Sequence, residues 1–169
     1  YDPETRRWET ARPLPEPRSD AAALTVGNTV LVLGGTVAGA SSLDVLEFSA
    51  GIWKRRPEMA LLEPLQYAAA AAIGSVVYLQ GGLRVNGDYN SATAILWAFD
   101  TAHPRRGWRK LPDLPGAARA NQAITVHEKS LYVFGGAAPQ AGGGIRNLGD
   151  AYRFDIRRGN WTRLPDMPV

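Results

Sequence analysis

The sequence predicts an all-β fold built from repeated four-stranded antiparallel units. Two observations predict it. A short apolar strand that ends in Gly-Gly occurs three times, as VLVLGG (30–35), VYLQGG (77–82) and LYVFGG (131–136). Tryptophans recur at similar intervals of about fifty residues, at Trp8, Trp53, Trp108 and Trp161. No segment shows a sustained helical period with capping residues, so helices are not expected.

Each repeat divides into four predicted strands. The first is rich in small residues: DAAALTV (20–26), YAAAAAI (67–73) and NQAITV (121–126). The second ends in Gly-Gly, where the backbone must turn sharply and only glycine adopts the required angles cheaply. The third carries an aromatic residue: LDVLEFS (43–49), AILWAFD (94–100) and DAYRFD (150–155). The fourth begins at tryptophan, and tight turns join the first two strands as hairpins.

Four-stranded meanders with a period near fifty residues are typical of β-propeller blades. The Gly-Gly pair, the spaced aromatic residue and the downstream tryptophan together resemble the kelch-repeat family. This resemblance implies an all-β, kelch-type β-propeller segment of about three four-stranded antiparallel blades, in which tryptophan packs between blades. We expect the blades at 20–60, 67–113 and 121–167, preceded by an orphan outer strand at 1–12 that belongs to a preceding blade.

Three blades are too few for a closed propeller, so we expect that further blades complete it. Propellers usually contain about four to eight blades, and three would leave two apolar faces in water. We therefore expect residues 1–169 to form a single segment of a longer propeller. The alternative is that another copy of the chain closes the ring. The expected partners thus include either the remaining blades or another copy.

Composition excludes several classes of function. The chain has no cysteine, which excludes disulfides, thiol catalysis and cysteine metal sites. The net charge is +3 and no Lys/Arg-rich block occurs, so no nucleic-acid partner is expected. The longest apolar run, Tyr67–Ile73, is too short to cross a bilayer, so no membrane partner is expected. His103 and His127 lie in separate turns without neighbouring ligands, so no metal is expected.

Candidate binding residues come from the register of the repeat. In a four-stranded meander, the loops between strands two and three share a face with the connections between blades. These loops are Thr36–Ser42, Leu83–Ala92 and Ala137–Leu148. Loops on a rigid scaffold commonly carry function. They supply the candidates Arg84, Asn86, Tyr89, Asn90, Arg146 and Asn147, whose alternative role is that of ordinary solvated loop residues.

The start of each innermost strand supplies the other candidates. Asp20, Tyr67 and Asn121 each lie fourteen positions before a Gly-Gly pair. In the kelch family this position often points into the binding funnel, so we expect ligand contacts there. Arg18 and Arg119 lie two residues earlier, where family members often have an arginine. For these two arginines the favoured role is bracing of the blade, and Arg119 is also kept as a ligand candidate.

Pairs of arginines flank each tryptophan, on the outermost strand or in the turn before it. The pairs are Arg6-Arg7, Arg55-Arg56, Arg105-Arg106 and Arg157-Arg158. Charges on edge strands prevent sheet-to-sheet aggregation, and this is the favoured explanation. The other explanation is a basic rim that attracts an anionic partner.

A second resemblance covers the C-terminal two-thirds of the chain. LWAFD (96–100), WRKLPDLPGAAR (108–119), LGDAYRFD (148–155) and WTRLPDMP (161–168) resemble the bacterial N-acetylneuraminate (sialic acid) mutarotases. The resemblance implies an isomerase that interconverts sugar anomers by acid/base ring opening and closure, with a cation for the sugar carboxylate and no cofactor. These enzymes have a Glu after one Gly-Gly strand. GGTVAG, GGLRVNG and GGAAPQ have none, so no catalytic residue is assigned.

Two functions therefore remain open from the sequence. The first is a mutarotase-like segment that binds a small-molecule sugar acid. The second is a non-enzymatic kelch module that binds a protein or an acidic peptide through the variable-loop face. An arginine-lined funnel suits either ligand, so the candidate residues do not separate the two functions.

Overall fold

Blade 1 is a four-stranded antiparallel sheet in the order β1-β2-β5-β6 in this computed structural model, which describes residues 1–168. Its strands are β1 (Ala22–Val26), β2 (Thr29–Leu33), β5 (Val45–Ser49) and β6 (Ile52–Arg55). A short hairpin, β3 (Thr36–Val37) with β4 (Ala40–Ser41), lies between β2 and β5. Burial alternates along β1, as expected for a strand that presents one face to a neighbouring blade.

Blades 2 and 3 repeat this arrangement. Blade 2 contains β7 (Ala69–Ile73), β8 (Val76–Gln80), β9 (Leu96–Asp100) and β10 (Arg109–Leu111). Blade 3 contains β11 (Ala123–His127), β12 (Ser130–Phe134), β15 (Ala151–Asp155) and β16 (Asn160–Leu164). A second hairpin, β13 (Ala137–Pro139) with β14 (Ile145–Asn147), lies between β12 and β15. The predicted all-β fold of four-stranded antiparallel blades is confirmed.

The connections hold more structure than the sequence predicts. Two of the three variable loops contain hairpins, and the third contains a 3₁₀ turn, Tyr89–Ser91. Further 3₁₀ turns occupy Pro57–Met59 and Pro104–Arg106. The N-terminal segment 1–12 contains one isolated bridge, between Asp2 and Arg7, in place of the expected strand. Within the described residues, no helix is long and apolar enough to span a membrane.

Apolar side chains from adjacent blades form shared cores. Leu31 and Leu33 of blade 1 belong to one buried cluster with Val77, Leu79 and Phe99 of blade 2. A second cluster joins blade 2 to blade 3. Each sheet therefore buries its faces only against its neighbours, as expected for a repeat protein.

The tryptophans anchor the outer part of each blade-to-blade contact. Trp108 Nε1 donates a hydrogen bond to the Met59 carbonyl at 2.9 Å, and Trp161 Nε1 donates to the Pro112 carbonyl at 2.8 Å. Trp108 also packs on Phe99, with ring centroids 5.2 Å apart. In the same way, Trp53 Nε1 donates to the carbonyl of Arg12 at 2.9 Å. The predicted packing of tryptophan between blades is thus observed.

The second glycine of each pair lies at the middle of the contact. Gly35 N donates to the Leu65 carbonyl at 2.7 Å, and Gly82 N donates to the Arg119 carbonyl at 2.9 Å, so both bonds cross to the next blade. Gly82 has a φ of +101°. A Cβ there would lie 2.8 Å from the Gln66 carbonyl oxygen. Both the backbone angle and the close approach therefore require glycine.

The innermost contact is a chain of backbone hydrogen bonds between the starts of the first strands. We call this the channel side, because a propeller has its central channel there. Tyr67 N donates to the Asp20 carbonyl at 2.8 Å, and Asn121 N donates to the Tyr67 carbonyl at 3.0 Å. Each blade-to-blade contact thus has hydrogen bonds at its inner, middle and outer parts.

Gly82→Ala is expected to destabilise the fold much more than Gly87→Ala. Both glycines have positive φ, which costs about 1–2 kcal/mol for alanine. Only at Gly82 would the new Cβ also meet a backbone carbonyl, whereas at Gly87 no atom lies within 4 Å. Urea unfolding should give a loss of about 3 kcal/mol or more for Gly82→Ala. Equal losses for both variants would contradict this account of the Gly-Gly pair.

Trp108→Ala should lower the free energy of unfolding by about 3 kcal/mol, because it removes a large aromatic group between blades 1 and 2. Trp108→Phe keeps most of the ring packing and loses the hydrogen bond to Met59, so about 1 kcal/mol is expected. Chemical denaturation of both variants tests the two contributions separately. A cost below about 1 kcal/mol for Trp108→Ala would show that tryptophan does not anchor the contact.

Candidate functional site

The three residues that were predicted from the register of the repeat, called the register residues below, lie together on the channel side. Asp20, Tyr67 and Asn121 line an open cleft of about 400 Å³ on successive blades. Their φ angles are +58°, +54° and +59°, which are uncommon for residues other than glycine and more so for a bulky tyrosine. The backbone hydrogen bonds between successive blades hold these residues in place. Strain of this kind is typical of sites where side chains must point in a required direction.

A polar network supports Asp20. Its Oδ2 accepts a hydrogen bond from Ser19 Oγ at 2.8 Å, and Thr36 Oγ1 lies 3.3 Å from the same oxygen. Thr36 Oγ1 also lies 2.7 Å from Oε1 of Gln66, which is completely buried. Gln66 Nε2 in turn donates to Ser41 Oγ at 3.2 Å. The network therefore ties the Asp20 carboxylate to the β3–β4 hairpin.

Tyr67 and Asn121 add hydrogen-bond donors to the cleft. Burial and the nearby Asp20 carboxylate raise the pKa of Tyr67 above its usual value, so its phenol stays protonated at neutral pH. Asn121 Nδ2 donates to the Tyr89 hydroxyl at 2.7 Å. The cleft thus presents a carboxylate acceptor, a phenol and an amide, a combination that can bind hydroxyl groups.

A second cleft, of about 610 Å³, shares Asn121 with the first and is also lined by Tyr89. Its lining is more apolar and includes Phe134, Ile145, Asn147, Leu148 and Met167. Asn147 is therefore brought close to the register residues. Arg146 lies between Ile145 and Asn147 on β14, and successive strand side chains point to opposite sides. Arg146 accordingly projects away from this cleft.

Most of the candidate residues in the variable loop of blade 2 form hydrogen bonds or ion pairs with other loop residues of the protein. Arg84 forms an ion pair with Glu63, and its NH2 lies 3.3 Å from Thr93 Oγ1. Asn86 Nδ2 donates to the Gly39 carbonyl at 2.8 Å, which links the loops of blades 1 and 2. Asn90 bonds to Asp88 within its own turn. Arg84 is partly exposed but lines neither of the two clefts.

Arg119 braces blade 3. It is completely buried, and its guanidinium donates to the Gly135 carbonyl at 2.9 Å and to Asp150 Oδ2 at 2.8 Å. Its Nε donates to the Ala117 carbonyl at 3.0 Å. No part of this side chain reaches a ligand-accessible surface, and burial therefore removes Arg119 from the ligand candidates. Arg18 braces blade 1 in the same way, through Gly34 and Glu16.

Blade 2 has Leu65 at the bracing position and is held differently. Gln122 Nε2 of blade 3 donates to the Gln80 carbonyl at 2.6 Å, directly before the Gly-Gly pair of blade 2. Neither Gln122 nor Gln66 is predicted from the sequence as a functional residue. The available signal was a glutamine next to Tyr67 or Asn121 in an otherwise apolar stretch.

The histidines have no metal-site geometry in residues 1–168, where no group of three or more His, Asp or Glu side chains could hold an ion. His103 Nδ1 lies 2.7 Å from Asp100 Oδ2. The hydrogen bonds from His103 and Ser75 lower the pKa of Asp100 to about 2. Asp100 ends β9 and His103 lies in the turn that leads to β10, on the face opposite the channel loops.

Comparison with known proteins decides the family. The KLHDC2/KLHL20/DRC7 Kelch-repeats domain matches residues 1–168. The chain belongs to this kelch-repeat family. The kelch-like protein terF of Aspergillus terreus is 29% identical over 170 residues, which cover 90% of this kelch chain and 35% of terF.

Bacterial enzymes are also similar to this kelch chain. An N-acetylneuraminate epimerase of Haemophilus influenzae is 30% identical over 95 residues, 56% of this chain and 23% of the enzyme. One from Yersinia pestis is 36% identical over 76 residues, 44% of this chain and 19% of the enzyme. The kelch chain thus spans about a third or less of the length of these relatives.

Asp150→Asn is expected to destabilise the protein at pH 7 and to lose this effect in acid. The Arg119 hydrogen bond holds the pKa of Asp150 below its usual value. A carboxyl whose folded pKa is lowered stabilises the fold above its unfolded pKa, about 3.9, and this contribution disappears as pH falls through the folded pKa. Breaking the buried pair should cost about 3 kcal/mol at pH 7.

Urea unfolding at pH 7 and pH 3 measures this pH dependence. Asp113→Asn is the matched control, because Asp113 forms an exposed ion pair with Lys110 and should change stability by less than about 0.5 kcal/mol. An Asp150→Asn effect that is the same at both pH values would exclude a charged Arg119–Asp150 pair.

Proposed function

We propose that the channel face of these blades binds a sugar acid, and that the full-length protein interconverts its anomers in the manner of an N-acetylneuraminate mutarotase. The observation that carries the proposal is the convergence of Asp20, Tyr67 and Asn121 on one polar cleft. The partial similarity to N-acetylneuraminate epimerases supports the choice of ligand.

The cleft suits a polyhydroxylated ligand. A sugar hydroxyl both donates and accepts, and Asp20 accepts while the protonated Tyr67 phenol donates. Asn121 supplies both kinds of group through its amide. A volume of about 400 Å³ lies in the range of small-molecule sites.

The carboxylate of the ligand requires a cation on the same face. In this proposal Arg84 provides it, exchanging its ion pair with Glu63 for one with the ligand. Arg146, the second exposed arginine of the channel-face loops, points away from the cleft and is given no role in binding. Ring opening also needs a general acid/base. The proposal assigns binding to these blades and proton transfer to a residue outside them.

A second candidate function is the binding of a protein segment. The supporting observation is the cleft of about 610 Å³, whose apolar wall includes the exposed side chains of Ile145 and Met167. An apolar wall beside Asn121 and Tyr89 would suit a peptide with both apolar and polar side chains. In this case the channel face is a recognition surface without catalysis.

Both functions require the open faces of the blades to be covered, and we propose that further blades, or another copy, cover them. Trp8 is 83% exposed, whereas Trp108 and Trp161 are partly buried against the preceding blade. On the far face of blade 3, Tyr132 and Phe134 stack at 6.4 Å and remain partly exposed. Such surfaces are typical of an interface.

Proton NMR of N-acetylneuraminate anomer exchange tests the isomerase proposal. The full-length protein should accelerate exchange, and Asn121→Ala and Tyr67→Phe should raise the KM by about tenfold, because each loses hydrogen bonds to the sugar. Asn160→Ala, on the exposed end of β16, is the control and should leave exchange unchanged.

Absence of acceleration by the folded protein would exclude the isomerase and leave the peptide-binding candidate. Acceleration by residues 1–169 alone would instead show that the acid/base group lies within these blades.

A further inference from the structure

A groove of about 480 Å³ lies on the outer part of blade 2, away from the channel clefts. Val76, Ala98 and Trp108 form its apolar wall, and Arg106 and Arg109 supply its charged groups. These residues come from the start of β8, from β9 and from the connection into β10. The groove therefore lies toward the face opposite the variable loops.

One position in the third strand distinguishes this groove from its counterparts. The aromatic residues Phe48, Phe99 and Phe154 align the third strands, and the residues directly before them are Glu47, Ala98 and Arg153. In blade 1, Glu47 lies opposite Lys54 and forms an ion pair with Arg56. In blade 2, Ala98 lies opposite Arg109. Blade 2 thus has arginines in its groove but lacks the carboxylate that Glu47 supplies in blade 1.

The groove consequently has an excess of positive charge. Arg105, Arg106 and Arg109 make no ion pair within residues 1–168, whereas Arg55 and Arg56 of blade 1 pair with four carboxylates, those of Glu16, Asp44, Glu47 and Glu58. The carboxylate that faces the groove is Asp100, which is also hydrogen-bonded to His103 and Ser75. Two arginines, Arg106 and Arg109, against one carboxylate in the groove favour an anionic partner.

We propose that this groove binds an acidic segment of a partner protein. Carboxylates of the segment meet Arg106 and Arg109, and an apolar side chain packs on the wall that includes Trp108. A peptide fits better than a small inorganic anion because much of the wall is apolar. In addition, β10 is an edge strand whose outer side can pair with an extended chain. This surface is separate from the channel face and does not depend on sugar binding.

Fluorescence anisotropy with the full-length protein tests the proposal. The probe is a short fluorescein-labelled peptide that alternates glutamate and leucine, and the comparison probe has glutamine in place of glutamate. The glutamate peptide should bind about tenfold more tightly, since charge-assisted hydrogen bonds to arginine are lost with glutamine. Raising the salt concentration should weaken its binding.

Two sets of variants locate the contact. Replacing both exposed groove arginines, Arg106→Gln with Arg109→Gln, should weaken the glutamate peptide by about tenfold. Ala98→Glu recreates the carboxylate of blade 1 and should weaken it in the same direction. Arg157→Gln with Arg158→Gln is the matched control, because these residues lie in the equivalent turn of blade 3 and do not line the groove. The control should bind normally.

Three results would overturn the proposal: no binding of the glutamate peptide by the folded protein, equal loss in the groove and control variants, and tripolyphosphate displacing the peptide at equal concentration. The second would indicate diffuse surface charge, and the third a small-anion site. Circular dichroism checks the fold of each variant. Should Ala98→Glu fail to fold, the exposed arginine pair still decides the outcome.

Discussion

The contact between consecutive blades is the constraint on which the rest of this structure depends. A four-stranded sheet with two apolar faces cannot bury them alone, so each blade is stable only against its neighbours. The contact combines a channel-side backbone bond, a bond from the second glycine and a bond from tryptophan. Glycine is required there because the blades approach too closely for a Cβ: at Gly81 of blade 2 it would lie 2.8 Å from the Arg119 carbonyl oxygen of blade 3.

The same contact creates the candidate site. The channel-side bonds run through the carbonyls of Asp20 and Tyr67, so the residues that join the blades also present side chains to the cleft. Their left-handed backbone is maintained by the packing of whole blades. Binding chemistry and blade assembly are therefore coupled, and a ligand in the cleft would contact three blades at once.

Equivalent positions in the repeats show how a uniform scaffold acquires distinct surfaces. Arg18 and Arg119 brace their blades, whereas Leu65 cannot, and Gln122 of the next blade bonds to Gln80 instead. Glu47, Ala98 and Arg153 occupy one position with different charges. Such substitutions leave the backbone hydrogen bonds unchanged, so the fold persists while the charge of each groove changes.

The sequence alone determined the four-stranded repeat and its Gly-Gly ends, because these depend on local periodicity and on backbone angles available to glycine. The packing of tryptophan between blades was expected from the resemblance to the kelch family. It also selected Asp20, Tyr67 and Asn121 as a set, since equal spacing in a repeat places residues at equivalent points. Only the tertiary structure decided that Arg119 is buried, that Arg84 pairs with Glu63 and that Arg146 points away from the cleft. Those outcomes depend on partners far away in the sequence, such as Asp150, and on side-chain direction, which spacing along the chain does not specify.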